Sequence, residues 1–198
     1  LWSKVIGSSA SDDCAGLEID DQNNYWISGY FSNTCNFGSS TFQSLLTSNG
    51  GYDIFVAKYN SQGALKYCNN FGSSSNDLSM DVKIRNDKVY ICGYFSLAVD
   101  FDSSPNAFFL VSHGNEDFFV AQYDTIGNFL WANSGGGSYF DFASCMSILN
   151  DGSVFVNGYS SGNMSVQTTH GLVQFTNKGS YDIFVGLLNS QGDIVNFN

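Results

Sequence analysis

A chain of 198 residues, 43% of them hydrophobic, can bury a sizeable core as one domain and is too apolar to stay disordered. Its net charge of −11, from 18 acidic and 7 basic residues, excludes partners that need clustered Lys and Arg, so neither nucleic acid nor an anionic lipid surface is expected. The longest apolar run, "AFFLV" at 107–111, is far short of the roughly 20 residues of a spanning helix, and no membrane insertion is expected.

Aromatics reach 16% against 13% charged residues, and one proline stands against 21 glycines. That balance suits short strands and tight turns, and the fold class expected is all-β. Polarity comes mainly from Ser, Asn, Gly and Gln, a weakly charged surface that points to an extracellular or cell-surface location. The chain opens on Leu without a signal-peptide pattern, which implies processing or a segment boundary upstream.

In chain order, the opening phrase "LWSKVIG" returns as "LKYCNNFG", "LWANSGGG" and "IVNFN", with Leu1 corresponding to Leu65, Leu130 and Val195. Polar joints follow it: "GSSASDD" at 7–13, "GSSSNDL" at 72–78 and "GGSYFDF" at 136–142. Then come "YWISGYF", "VYICGYF" and "VFVNGYS", in register through Gly29, Gly93 and Gly158. Last in each unit are "GYDIFVAKYNSQGALKY", "GNEDFFVAQYDTIGNFLW" and "GSYDIFVGLLNSQGDIVNF". Their anchors Asp53, Asp117 and Asp182, and Gly63, Gly127 and Gly192, are spaced by 64 and then 65 residues. The whole chain is a tandem repeat.

Each unit reads as four strands. Strand a lies near "DVKIR" at 81–85 and turns through "RNDK" into strand b, "KVYICGYF". A loop of about 20 residues precedes strand c, "DFFVAQYD", which turns through "DTIG" into strand d, "NFLWANSG". Strand c does not alternate apolar with polar: Phe55, Ala57 and Tyr59 lie on one side, Ile54 and Val56 on the other. Both faces must therefore be covered, which a single sheet cannot do for itself. Radial stacking of four-stranded sheets does, so the expected architecture is β-propeller blades, with the ring incomplete in this chain. The expected division is 1–12 as strand d of a preceding blade, then blades at 13–71, 72–135 and 136–198. The glycines after Asn or Asp in the c-to-d turns are expected to take positive φ; those inside strand b mark a bulge or close backbone approach.

The stretch "GYFSLAVDFDSSPNAFFLVSHGNEDFFVAQYDTIGNFLW" and its counterpart from Gly29 resemble the bacterial β-propeller repeat often called SBBP. The resemblance spans the chain. It is weakest in the third unit, where "GYSSGNMSVQTTHG" replaces the G-Y-F and D-F elements and the final Trp is lost. It implies large secreted or surface-attached proteins and no particular reaction.

No residue is assigned a catalytic, cofactor-binding or metal-ligating role. The b-to-c loops at 33–50, 97–116 and 161–180 are the places to look for binding, although Phe42, Leu45, Phe108, Phe109, Val173 and Phe175 there are expected to cap the blades. The recurring acids Asp13, Asp77 and Asp141 could ligate Ca²⁺, but no DxDxDG loop surrounds them, and a turn-capping carboxylate is the expected role. Asp53, Asp117 and Asp182 are read likewise. His113 and His170 fall at different places in their units and form no repeated metal pair. Besides the aspartates only Glu18 and Glu116 are present, so no glycosidase pair can be picked out.

Cys14, Cys35, Cys68, Cys92 and Cys145 show no zinc spacing; they are either small buried hydrophobes or include one or two disulfides. Asn163 begins a glycosylation sequon, "NMS".

Three units are too few for a ring of four to eight blades. Further blades or identical subunits are thus the expected partners, with glycans a second possibility. The function expected is a non-enzymatic structural, adhesive or assembly module; the alternative is a carbohydrate-binding or carbohydrate-processing propeller acting through the long loops.

Overall fold

The computed structural model describes residues 2–198, so the correspondence drawn at Leu1 lies outside the described residues. All regular structure in it is antiparallel β, arranged in four sheets, none closed into a barrel.

The first unit supplies β1 (Asp13–Ile19), β2 (Tyr25–Phe31), the short β3 (Thr34–Asn36) and β4 (Leu45–Thr47), then β5 (Asp53–Tyr59) and β6 (Leu65–Phe71). β1, β2, β5 and β6 form a meander in that order, and β3 pairs with β4 alone. The second unit repeats the meander with β7 (Leu78–Arg85), β8 (Lys88–Asp100), β9 (Phe109–Asp124) and β10 (Phe129–Gly137). The third uses β11 (Asp141–Ile148), β12 (Val154–Ser160), a hairpin of β13 (Met164–Thr168) and β14 (Gly171–Phe175), then β15 (Asp182–Leu188) and β16 (Ile194–Phe197). β13 also pairs with the end of β10 at Gly136–Ser165 and Gly137–Met164, which widens the second sheet to six strands.

The four strands expected per unit are present in the expected order. The loops between strands b and c differ from expectation, because each folds back as a hairpin. In the second unit it is the far halves of β8 and β9, paired from Ala98–Val111 to Asp100–Phe109 beyond an irregularity at Leu97. Strand pairs three to five residues long carry too little periodicity to be read from a sequence.

Local chemistry sets the turns. Between β7 and β8, Asn86 and Asp87 both take positive φ, 50° and 56°, which matches the right-handed twist of a two-residue hairpin. In the c-to-d turns Gly63, Gly127 and Gly192 have φ of 79°, 97° and 89°. Each donates its N–H to the carbonyl of Asn60, Asp124 or Asn189, at 2.9, 3.0 and 3.0 Å. The side chain of that same Asn or Asp accepts two further N–H groups, so the turn is closed from both sides.

The three meanders stack face to face. Trp26, Ile54, Val56 and Phe71 of the first sheet meet Val82, Ile91, Phe95 and Phe119 of the second in one buried cluster. Tyr90, Phe118 and Val120 on the second sheet's other face meet Met146, Val156, Phe184 and Phe197 of the third. The first strands touch one another across both seams, β1 against β7 and β7 against β11. Ser79 donates to the Ser28 hydroxyl at 2.9 Å, and Met146 N–H to Asp81 Oδ2 at 3.0 Å, across these two seams. Each fully buried aliphatic or aromatic side chain contributes about 1.5–3 kcal/mol. The stack is thus held mainly by its two apolar seams.

In the segment 1–12, expected as strand d of a preceding blade, the described residues 2–12 have no strand pairing. A strand needs a neighbouring backbone to pair with, and the described residues offer this segment none. One side chain nevertheless sits where a strand d would put it. Trp2 covers Gly63, as Tyr67 of β6 covers Gly127 and Trp131 of β10 covers Gly192.

Candidate functional site: the two end faces of the stack

The repeat makes each sheet's two faces comparable with those of its neighbours. In the second sheet, Val82, Ile91, Phe95, Phe101, Phe119 and Tyr123 are buried against the first. The same repeat positions in the first sheet are Leu17, Ile27, Phe31, Phe37, Phe55 and Tyr59. They line an apolar cleft of about 660 Å³, shared with Trp2, Lys4, Tyr25 and Cys35. Of these six only Leu17 is exposed, 62% against 0% for Val82; Ile27 is half-buried, and Phe31, Phe37, Phe55 and Tyr59 are buried in a cluster of their own with Cys35, Ala57 and Ile6. Within the cleft, the Trp2 and Tyr25 rings meet edge to face at 5.5 Å, and the Lys4 ammonium lies 4.6 Å from the Tyr59 ring centre. Trp2 Nε1 donates to the Ser61 carbonyl at 3.1 Å.

The opposite end of the stack is open. Tyr90, Phe118 and Val120 are buried in the second sheet; their counterparts in the third, Phe155, Ile183 and Val185, are exposed. Ile183 is 83% exposed where Phe118 is 0% exposed. Tyr159 and Tyr181 pack edge to face beside it at 5.5 Å. β15 consequently alternates buried and exposed, while β5 and β9, built from the same phrase, are buried on both faces. The expectation that strand c needs cover on both sides thus holds for β5 and β9, the outer face of β5 packing against Cys35, Phe37 and Ile6, whereas no such cover lies on the outer face of β15.

The repeated acids make turns and joints. Asp53, Asp117 and Asp182 accept the N–H of the residue four places back, Asn49, His113 and Lys178, at 3.1, 3.1 and 2.6 Å. A second set does the same one element later: Asp12 from Ser8, Asp77 from Ser73 and Asp141 from Gly137, at 2.6, 2.6 and 2.7 Å. Asp12 and Asp77 also accept the N–H at the end of strand b, from Ser32 at 3.2 Å and Ser96 at 2.8 Å. The first member of this set is therefore Asp12 and not Asp13, which is exposed in β1 opposite Tyr30. Two consecutive aspartates fit the joint equally well on paper, and the hydrogen bonds from Ser8 and Ser32 separate them.

Burial pushes Asp77 and Asp141 up to about 6, against hydrogen bonds from Ser73, Ser96, Ser160 and Gly137 that pull the other way. Asp141 Oδ1 is buried without a partner. A carboxyl whose folded pKa exceeds its unfolded one, near 3.8, stabilises fully below that value, and the contribution is lost as pH rises through about 6. Each should therefore withdraw on the order of 2–3 kcal/mol between pH 4 and pH 7. Chemical denaturation across that range is expected to find the protein more stable near pH 5 than near pH 7.5, with a shallower slope in Asp77→Asn.

The remaining candidates are scattered. His113 is exposed with Nδ1 2.7 Å from Asp117 Oδ2, and His170 lies in the β13–β14 turn beside Thr169. Among the described residues, no group of three or more His, Cys, Asp or Glu is placed to hold a metal. Asn163 is exposed, its side-chain oxygen accepting the Asn177 N–H at 2.9 Å. All five cysteines are free; Cys35 and Cys92 are buried, and desolvation pushes the Cys35 thiol up to about 11. The packing reading fits those two, whereas Cys14 and Cys145 are exposed.

The loop aromatics divide. Phe108 packs on Phe129 at 5.0 Å and Phe175 on Phe197 at 5.3 Å, whereas Phe42, Leu45 and Phe109 stand exposed and cap nothing. Covering of the c strand falls instead to Phe37 and Phe101, whose carbonyls accept the hydroxyls of Tyr59 and Tyr123 at 2.8 and 2.9 Å.

The chain matches no protein-family model, and no curated protein matches it.

Proposed function

We propose that this chain is a β-propeller segment of the bacterial SBBP-repeat kind, acting outside the cell or at its surface as a non-enzymatic structural, adhesive or assembly module. In this reading the ring is completed by further blades or a neighbouring subunit. The observation that carries it is the outer face of the third sheet, where Phe155, Ile183 and Val185 repeat, as exposed apolar side chains, the positions that Tyr90, Phe118 and Val120 bury in the interior seam. Contiguous apolar surface of this kind marks an interaction site rather than a solvent face. The approach of β1 to β7 and of β7 to β11 supports first strands gathered about one axis. The weakly charged, Ser- and Asn-rich surface supports the location.

A second reading, a carbohydrate-binding propeller, rests on Phe42 and Phe109, exposed on two of the b-to-c hairpins where a sugar ring could stack. A glycan array separates the two. The assembly reading expects no saturable binding. Saturable binding of one glycan class, abolished by Phe42→Ala or Phe109→Ala, overturns it in favour of the second.

A further inference from the structure

The joint that leads from one sheet to the next recurs with the same fold and different chemistry. At the first joint Asp77 is fully buried and accepts the Ser73 N–H at 2.6 Å, the Ser73 hydroxyl at 2.9 Å and the Ser96 N–H at 2.8 Å. Asp12 is held the same way by both donors of Ser8 and by the Ser32 N–H. At the second joint the acid is Asp141, 1% exposed. Gly137, in the place of Ser73, donates its N–H at 2.7 Å but has no hydroxyl. Ser161, in the place of Ser96, turns its N–H to the Phe140 carbonyl at 2.8 Å. Asp141 Oδ1 is left buried and unpartnered.

The neighbouring carboxyl repeats the loss. Asp53 is held by the N–H and amide of Asn49 and by the Asn70 amide at 2.9 Å. In the second unit Ser134 stands in the place of Asn70, opposite Phe119 as Asn70 is opposite Phe55. Asp117, fully buried, keeps the His113 N–H and ring nitrogen, both on Oδ2, and its Oδ1 is unpartnered too. The other titratable groups facing this joint are Tyr94 of β8, Glu116 of β9, Tyr159 of β12 and, beyond Ser160, Asp182 of β15. β10 brings none, and the β13–β14 hairpin only His170 in its far turn. Among the described residues the ion pairs bring no cation to Asp141: Lys83 is on Asp81 and Glu18, Lys58 on Asp20 and His113 on Asp117.

The same joint fastens the hairpin, since Gly136 and Gly137 pair with Ser165 and Met164 of β13. Beside that pairing lies a cavity of about 340 Å³ lined by His113, Ser138, Asn163 and Gln174, polar and roomy enough for water. We propose that this joint is a proton-operated latch, closed while Asp141 carries a proton and opening, with release of the hairpin from β10, when Asp141 ionises. An ionised Asp77 keeps all three donors and titrates in place. An ionised Asp141 has a buried oxygen without a donor, which water satisfies only when the joint parts. Burial raises the Asp141 pKa in the closed joint, so closure is favoured at low pH and is lost as pH rises through about 6.

Amide hydrogen exchange on the full chain, read by NMR as protection factors at pH 5 and pH 7.5, tests the latch. Gly137, Ser161 and the paired residues of β13 are expected to lose about tenfold in protection over that span, the factor for a carboxyl moved from 3.8 to about 6. Ser73 and Ser96 are expected to stay better protected than these at both values. In Asp141→Asn, whose amide matches the protonated carboxyl in shape and donor, the loss is expected to vanish; in Asp77→Asn it is expected to remain. Protection at Gly137 and Ser161 that ignores pH, a loss that persists in Asp141→Asn, or equal exchange at the two joints overturns the proposal. If Asp141→Asn does not fold, the wild-type comparison of the two joints decides by itself.

Discussion

Phe118→Ala is expected to cost about 3–5 kcal/mol of folding stability, and Ile183→Ala, the same position one repeat later, less than about 0.5 kcal/mol. Both residues stand second in a strand-c phrase, just after the turn aspartate. Phe118 is fully buried, its ring 4.9 Å from that of Phe184 and stacked at 5.3 Å on that of Phe197. Removing it opens a cavity where two aromatic rings from the next sheet converge, and the rigid sheets can close it only in part. Ile183 has water on most of its surface, so truncation removes little that folding of the monomer had buried. Urea denaturation at concentrations where the chain is monomeric measures both. Equal costs would mean that the third sheet's outer face is covered within one chain, and the end-face reading would be lost.

Gly93→Ala is expected to cost about 3 kcal/mol or more, despite the modest gain of about 0.4–1 kcal/mol that Ala brings by restricting the unfolded chain. A Cβ there would collide with the Leu78 carbonyl oxygen. The register of β7 against β8 shifts between Ser79 and Asp81, and this bulge drives the β7 backbone toward Gly93. The same arrangement recurs at Gly29 under Asp13 and at Gly158 under Phe142, each beside a bulge in strand a. Relief would require moving a backbone carbonyl in the strand at the centre of both seams. Gly179→Ala is the control: a Cβ there meets nothing within 4 Å, and its effect is expected to stay under about 0.5 kcal/mol. A Gly93→Ala protein as stable as wild type would show that strand a can shift freely against its neighbours.

The glycine in strand b was legible from the sequence as a bulge or close approach because a strand interior has few other reasons to keep one. The four strands per unit, their antiparallel order and the turn glycines were legible for a related reason. A tandem repeat shows the same element three times, and what survives in every copy is what the backbone requires. The buried faces of β5 and β9 were legible in "IFVAKY" and "FFVAQY" because neither face carries a polar series. Short hairpins such as β3–β4 were not, since three residues give no period to detect.

Nor could the sequence say that "DIFVGLL" in β15 keeps one face bare. Its Ile183 and Val185 are as apolar as Ile54 and Val56, and hydrophobicity records what a residue can bury, not what stands opposite. The choice between Asp12 and Asp13 was likewise out of reach until the Ser8 and Ser32 N–H groups chose one. What the sequence determined by itself was the repeating unit, because strand period, turn chemistry and glycine placement are local. What only the tertiary structure decided was which faces meet, which stay open and which of two like residues holds a joint, because those depend on atoms brought together from different repeats.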